Sequence, residues 1–289
     1  MKAGRRGEWL VTLPSLGWLL VFFLVPTLIV LAFAFKPSDP FGGVGPGWTT
    51  ATLAGIALPQ HAAIVWRTLW LSLLATALCL LLATPAGYAI ARAEPKTRAR
   101  LTLLVIVPFW TSFLIRIFAW KVLLHPEGVL KGVLVRLGLV SEQTPLLYTP
   151  GAVLLVMVYT FLPFAILPIY AAAEKFDFRL LEAARDLGAG PLRAFALVFL
   201  PGIRSGLLTA FLVVFIPALG SYVIPDLVGG PGGEMLGNKI AQRVFVDRNL
   251  PHASALSALL IGAVLLPMAA VLALQSQRRR AEATLEEDA

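Results

Sequence analysis

From Trp9 to Phe35 the chain carries not one Asp, Glu, Lys or Arg. A stretch this apolar matches a bilayer, because about 20 helical residues cross a hydrocarbon core of ~30 Å. Comparable runs recur, giving spans at about 10–35, 63–91, 101–124, 149–172, 204–224 and 253–274. In lipid every backbone polar group must be satisfied internally, by a helix or a closed barrel. Long continuous runs, without the short alternating segments of a barrel, select helices. The expectation is an all-α integral membrane protein with six transmembrane helices, a single domain over residues 1–289. Lys2, Arg5 and Arg6 ahead of the first run, and Ala32-Phe33-Ala34 at its end, imitate a secretory signal. The run is too long for that, since a signal's apolar region covers only about 7–15 residues, and it is read as an uncleaved anchor.

Basic residues set the orientation. They collect at the N-terminus, in the 92–100 turn (Arg92, Lys96, Arg98, Arg100), in the 173–204 segment (Lys175, Arg179, Arg185, Arg193, Arg204) and in Arg278, Arg279 and Arg280. The alternate loops hold fewer, offset by Asp39, Glu127, Glu142, Asp226, Glu234 and Asp247. The positive-inside rule therefore places both termini in the cytoplasm. The net charge of +8 is accounted for by this topology and does not call for nucleic acid. Cys79 is the single cysteine and lies inside the second span, so no intrachain disulfide or cysteine metal cluster is expected. His61, His125 and His252 lack metal-ligand spacing and are expected at the surface near outer loops. No metal site and no catalytic residue is expected, since neither a G-x-S-x-G elbow nor a pair of intramembrane carboxylates occurs.

Prolines interrupt the spans at Pro14, Pro26, Pro85, Pro108, Pro163, Pro168, Pro217 and Pro267. Each is a packing kink or part of a broken helix that builds a substrate path. In the outer loop 125–148, Val129, Leu130, Val133, Leu134 and Leu137 space out an amphipathic helix.

The segment LLEAARDLGAGPLRAFALVFLPG, Leu180 to Gly202 in an elbow of about 178–202, differs from its neighbours. Leu180, Ala183, Ala184 and Leu187 share one helical face, opposite Glu182, Arg185 and Asp186. Gly188-Ala189-Gly190 permits a reversal, and Pro191 suits the first position of a second helix carrying Leu192, Phe195 and Phe199. Leu200-Pro201 is expected to stop that helix. Periodicity alone leaves this elbow either docked on a partner or resting on lipid headgroups.

Glu182-Ala183-Ala184, three residues, Gly188, nine residues, then Val198-Phe199-Leu200-Pro201 resembles the EAA motif of ABC importer permeases, with Val198 in place of isoleucine. The stretches PFWTSFLIRIFAWK, LPFAILPIYAA and VFIPALGSYVIPDLVGG are similar to permeases of spermidine/putrescine import systems, the putrescine type in particular. The resemblance implies a type I ABC importer permease (MetI-like) of the bacterial inner membrane. It implies as partners a second permease, two copies of a cytoplasmic ATPase carrying ATP and Mg, and a periplasmic or extracellular binding protein. Glu182, Ala183, Ala184, Gly188, Leu200 and Pro201 would couple to that ATPase. The chain itself has no G-x-x-x-x-G-K-[ST] loop, so no cofactor is expected on it.

A polyamine site needs carboxylates for ammonium groups and aromatic faces for cation–π contact. Trp110, Tyr159, Tyr222 and Asp226 are the candidate pathway residues, with Asp226 as the acidic gateway and Glu234 as a lesser candidate. Arg116, in the outer part of span three, would repel such a cargo, and is expected to snorkel outward or pair with an acid. Were it to face the lumen, another small nitrogenous solute, such as an opine or aminophosphonate, becomes the alternative cargo. A membrane scaffold that binds a partner without moving solute is the alternative of another class.

Overall fold

The computed structural model describes residues 4–56 and 59–265, with side chains from 12–56 and 61–265. Lys2, Pro267, Arg278, Arg279, Arg280 and the end of the sixth expected span lie outside the described residues, and the side chains of Arg5 and Arg6 lie outside those described. Regular structure among the described residues is helical, apart from an isolated bridge between Ser38 and Val44. The chain divides into two compact units, Ile64–Asn238 and the segments Met1–Ala63 with Lys239–Ala289.

The larger unit is built on α8 (Pro150–Glu174). Thr149 caps it by accepting the N–H of Ala152 at 3.1 Å, and Pro150 takes the first position, where its missing donor costs nothing. Val153, Val156, Met157 and Ile169 are fully buried along its length. With no hydrophobic drive between helices in lipid, close approach through small residues does the packing. Gly206 of α12 (Arg204–Leu219) lies against Pro168 and Ala172, and Gly87 of α4 (Pro59–Arg92) against Ile169 and Tyr170, where a Cβ would collide. The Cys79 thiol donates to Val158 O at 3.6 Å, a further tie between α4 and α8.

The third expected span is not straight. The helical stretches Pro95–Trp110 and Phe113–Arg136, which contain α5 (Pro95–Ile106), α6 (Phe113–Leu124) and α7 (Val129–Arg136), meet at 87°. Pro108 lies in a tight turn over Val107–Trp110, Thr111 is extended, and its hydroxyl donates to Pro108 O at 2.8 Å. α12 is shorter than the expected fifth span, ending at Leu219. Gly220 and Ser221 then turn the chain into α13 (Val223–Val228), from which α14 (Leu236–Phe245) follows.

In the other unit, α1 (Gly4–Leu19), a wide π turn (Leu20–Leu24) and α2 (Val25–Phe33) bury no side chain over 12–33. The Val25 N–H donates five residues back to Leu20 O, immediately before Pro26, so the extra residue in the turn absorbs the proline. The loop beyond is braced by Gly43 N–H to Arg248 O (2.8 Å) and by Lys36 over the Trp48 ring (4.1 Å). α3 covers Ala51–Ile56, and α15 covers Leu250–Leu265, the described part of the sixth expected span. His61 corrects the surface expectation. It is 4% exposed, with its ring centroid 5.1 Å from that of His252, a pairing distant in sequence that local spacing does not reveal.

Three described helices, 12–33, 61–92 and 150–174, are long and apolar enough to cross a membrane, or five spans when each bent pair counts as one.

Candidate functional site

Past α8 the chain reaches α9 (Arg179–Asp186) through Asp177, whose carboxylate accepts the Arg179 backbone N–H at 3.1 Å and its guanidinium at 3.0 Å. The hydrogen bonds from Arg179 hold the Asp177 carboxyl below its ordinary pKa. The far end of α9 closes in a paired cap: Gly188 N–H donates to Arg185 O (2.8 Å) and Ala189 N–H to Ala184 O (3.0 Å). This is the Schellman arrangement, which needs a left-handed residue just past the helix. Gly188 supplies it at φ +86°, which is the physical reason for a glycine at that point of the motif.

The second arm starts at Pro191 and does not stop at Leu200-Pro201. α10 (Pro191–Ala194) passes through a π turn (Phe195–Phe199) into α11 (Leu200–Gly202). Leu200 N–H donates back five residues to Phe195 O, so Pro201 follows a widened turn, as Pro26 does. The chain bends by 73° only at the next break, between Pro191–Gly202 and Arg204–Leu219.

Burial separates the two sides of the elbow. Leu181 is buried and Ala184 packs on the core, whereas Glu182 and Ala183 are exposed. Leu180, Leu187 and Leu192 are also exposed, the last two at 89% and 84%. Most of the expected apolar face of α9 therefore points away from this chain, and Leu181 serves as its anchor.

An aromatic cluster that the sequence reading missed lies at the root of the elbow. Tyr88, near the end of α4, meets Phe178, Phe195 and Phe199 edge to face at 5.8, 5.4 and 5.0 Å. Phe176 joins through Phe178 (5.5 Å) and Phe199 (5.3 Å). The only local signal is aromatics beside basic residues in GYAIAR and EKFDFR.

The pathway candidates do not form one cluster. Tyr222 precedes α13 and accepts the N–H of Asp226 at 3.0 Å, and both side chains are exposed. Tyr159 stacks edge to face on Trp120 at 5.3 Å, and Trp110 is 74% exposed at the break in span three. The Glu234 carbonyl, with that of Pro231, accepts from Arg67 at 3.4 and 3.2 Å, and Leu236 N–H donates to Thr68 Oγ1 at 2.8 Å. These bonds fix the loop that follows Asp226. Arg116 departs from the expected ion pair: its guanidinium lies 5.7 Å over the Phe109 ring, and no ion pair among the described residues includes it. An aromatic face takes the place of an acid.

Residues 83–280 match the family described as binding-protein-dependent transport system inner membrane component. The spermidine/putrescine transport system permease protein PotB of Haemophilus influenzae is 40% identical over 241 residues, spanning 83% of this chain and 84% of that protein. PotB of Escherichia coli is 35% identical over 241 residues, 83% and 88% of the two chains. The crystal structure of a bacterial ABC transporter involved in the import of the acidic polysaccharide alginate superposes with a TM-score of 0.71 at 21% identity, covering 95% of this chain and 96% of that one. The inward-facing MetNI methionine transporter gives 0.55 at 20% identity over 72% and 91%. The fold is that of a type I ABC importer permease.

Proposed function

As this chain belongs to the binding-protein-dependent transport system inner membrane component family, we propose that it is a permease subunit of an ATP-driven importer and forms part of a transmembrane path for putrescine and spermidine. The observation that carries the transport role is the elbow, a Schellman-capped helix pair whose Leu187 and Leu192 stand uncovered. The polyamine cargo rests on relatives named for spermidine/putrescine transport at 35–40% identity over most of the chain.

Under this reading both termini are cytoplasmic, and a cytoplasmic ATPase seats the apolar tip. Glu182, Ala183, Ala184, Gly188, Leu200 and Pro201 shape the coupling element, and ATP with its Mg is held by two copies of that ATPase. A second permease covers the unburied first span and completes the path. A binding protein delivers cargo to the outer mouth, where Asp226 neutralises the first ammonium group and Tyr222 offers a ring one turn away. Trp110 and Tyr159 serve deeper, as aromatic faces for the methylene chain and its charges. Closure of the ATPase pair moves the elbow and rocks the spans joined to it, which is alternating access by rigid bodies.

Arg116 favours one second reading: a guanidinium half-buried in span three suits a zwitterionic or anionic nitrogenous solute, such as an opine or aminophosphonate, on the same importer. The test is ATP-dependent uptake of labelled putrescine and spermidine in cells lacking polyamine import, with this chain and its partners restored. Uptake of either supports the cargo. An assembled, ATP-hydrolysing complex that carries neither would retain the importer and remove the polyamine.

A further inference from the structure

The inner end of α4 gathers more connections than its place as the end of one span requires. Tyr88 presents its ring to residues from both arms of the elbow: Phe178 just ahead of α9, and Phe195 and Phe199 on the second arm. Phe195 and Phe199, four residues apart on the second arm, hold their rings 5.0 Å from each other, both reach the same tyrosine, and Phe199 is fully buried. Arg92, one turn on, donates to the Tyr88 hydroxyl at 2.9 Å and lies over the Tyr88 and Phe178 rings at 5.7 and 5.8 Å.

The last residues of α4 and Ala93 just beyond it are tied to two other helices. Gly87 lies against Ile169 and Tyr170 of α8. Arg98 of α5 donates to the carbonyls of Ala91 and Ala93 at 2.9 and 3.4 Å, and pairs with Glu174 at the end of α8 at 2.9 Å. Pro85, inside α4 just before this node, has no N–H to give the carbonyl four residues back. The helix is therefore weakened at the point where a short inner segment, carrying Tyr88 and Arg92, could tilt relative to the rest.

We infer that Tyr88 is a positioning residue for energy coupling: its ring locks the elbow to the inner segment of α4, so that displacement of the elbow tilts that segment beyond Pro85 and moves α5 and α8 with it. Without the lock, the elbow would still seat a partner but would slide over α4 rather than carry it. The inference rests on the reading of the elbow as the docking point of an ATPase.

The test uses the full complex with its ATPase, second permease and binding protein in proteoliposomes, with ATP hydrolysis and uptake of labelled putrescine measured in parallel. Tyr88→Ala is expected to assemble and hydrolyse ATP within about twofold of the wild type, while uptake per ATP falls at least tenfold. Tyr88→Phe, which keeps the ring and loses only the hydroxyl, restores at least half of that ratio. Equal uptake per ATP in Tyr88→Ala and the wild type overturns the inference, as does Tyr88→Phe failing as completely as Tyr88→Ala. Should Tyr88→Ala not assemble, Phe195→Leu removes one ring of the lock while keeping apolar bulk. A lowered uptake per ATP there supports the lock, and an unchanged ratio overturns it. Should putrescine not be carried, stimulation of ATP hydrolysis by the loaded binding protein replaces uptake as the readout, with the same ordering expected. A wild-type chain that never binds the ATPase would sink the importer reading itself, which is a different result from uncoupled variants in a working wild type.

Discussion

Asp226 donates its backbone N–H to the carbonyl of Tyr222 over 3.0 Å, so an exposed carboxylate and an exposed phenol stand one turn apart at the start of α13. A diammonium chain needs this combination, a charge for one end and a π face beside it. Asp226→Asn keeps the shape and removes the charge. Uptake of labelled putrescine at concentrations below saturation is expected to fall about tenfold, equivalent to about 1.4 kcal/mol, at unchanged membrane abundance. Unchanged uptake would remove Asp226 from the path.

Gly188 tests the elbow cap. It sits at φ +86° with open space around the position of a Cβ, so the cost of a side chain there is conformational and not steric. Gly188→Ala is expected to cost about 1 kcal/mol locally, and Gly188→Asn less, because asparagine tolerates the left-handed region. Retention of the ATPase through detergent purification should follow the order Gly, Asn, Ala, with Gly188→Pro lowest. A Gly188→Pro variant that transports normally would remove the coupling role.

Gly206 makes the opposite test. Its place against Ala172 Cβ and Pro168 O leaves no space for a methyl group without moving α12 away from α8. Gly206→Ala is expected to destabilise the chain by about 1–3 kcal/mol, read as a lower temperature of aggregation in detergent. A full-strength result at Gly188 and none at Gly206 would contradict the close helix approach.

Arg98 and Glu174 should not be equal partners. Their pair is part-exposed, at 30% and 45% of side-chain surface, and screening leaves such a contact about 0–1 kcal/mol. Arg98 also holds the carbonyls of Ala91 and Ala93. Glu174→Gln is therefore expected to cost under about 1 kcal/mol, and Arg98→Ala about twice as much, in thermal unfolding of the purified complex. Equal losses would mean that the carbonyl contacts contribute nothing.

The apolar runs made the helical membrane class readable, and the turn chemistry of Gly188 and Pro191 made the helix pair of the elbow readable. Direction was harder. Hydropathy has no term for the angle at which Trp110 hands over to Phe113, so the 87° break was visible only as a proline in a span. Periodicity found the stripe containing Leu180 and Leu187 but not that it is the uncovered side, because Leu181 is buried by residues elsewhere in the chain. Tyr88 was passed over for the same reason: nothing near it in sequence shows that Phe178, Phe195 and Phe199 converge on it. Each of these depends on contacts between distant segments, to which local pattern is blind.

The wide turn at Phe195–Phe199 also gives the spacing between Gly188 and Leu200-Pro201 a rotational meaning. A π turn is an α-helix holding one residue more than its hydrogen-bond pattern requires, and each residue turns a helix by about 100°. Held in ordinary helix, that extra residue would turn everything beyond it by about that angle and carry Gly206 off α8; the wide turn absorbs it, so the helix beyond keeps its direction. The wide turn therefore works as a phase correction between two parts of the molecule, taking up the residue that would otherwise turn Gly206 away from α8.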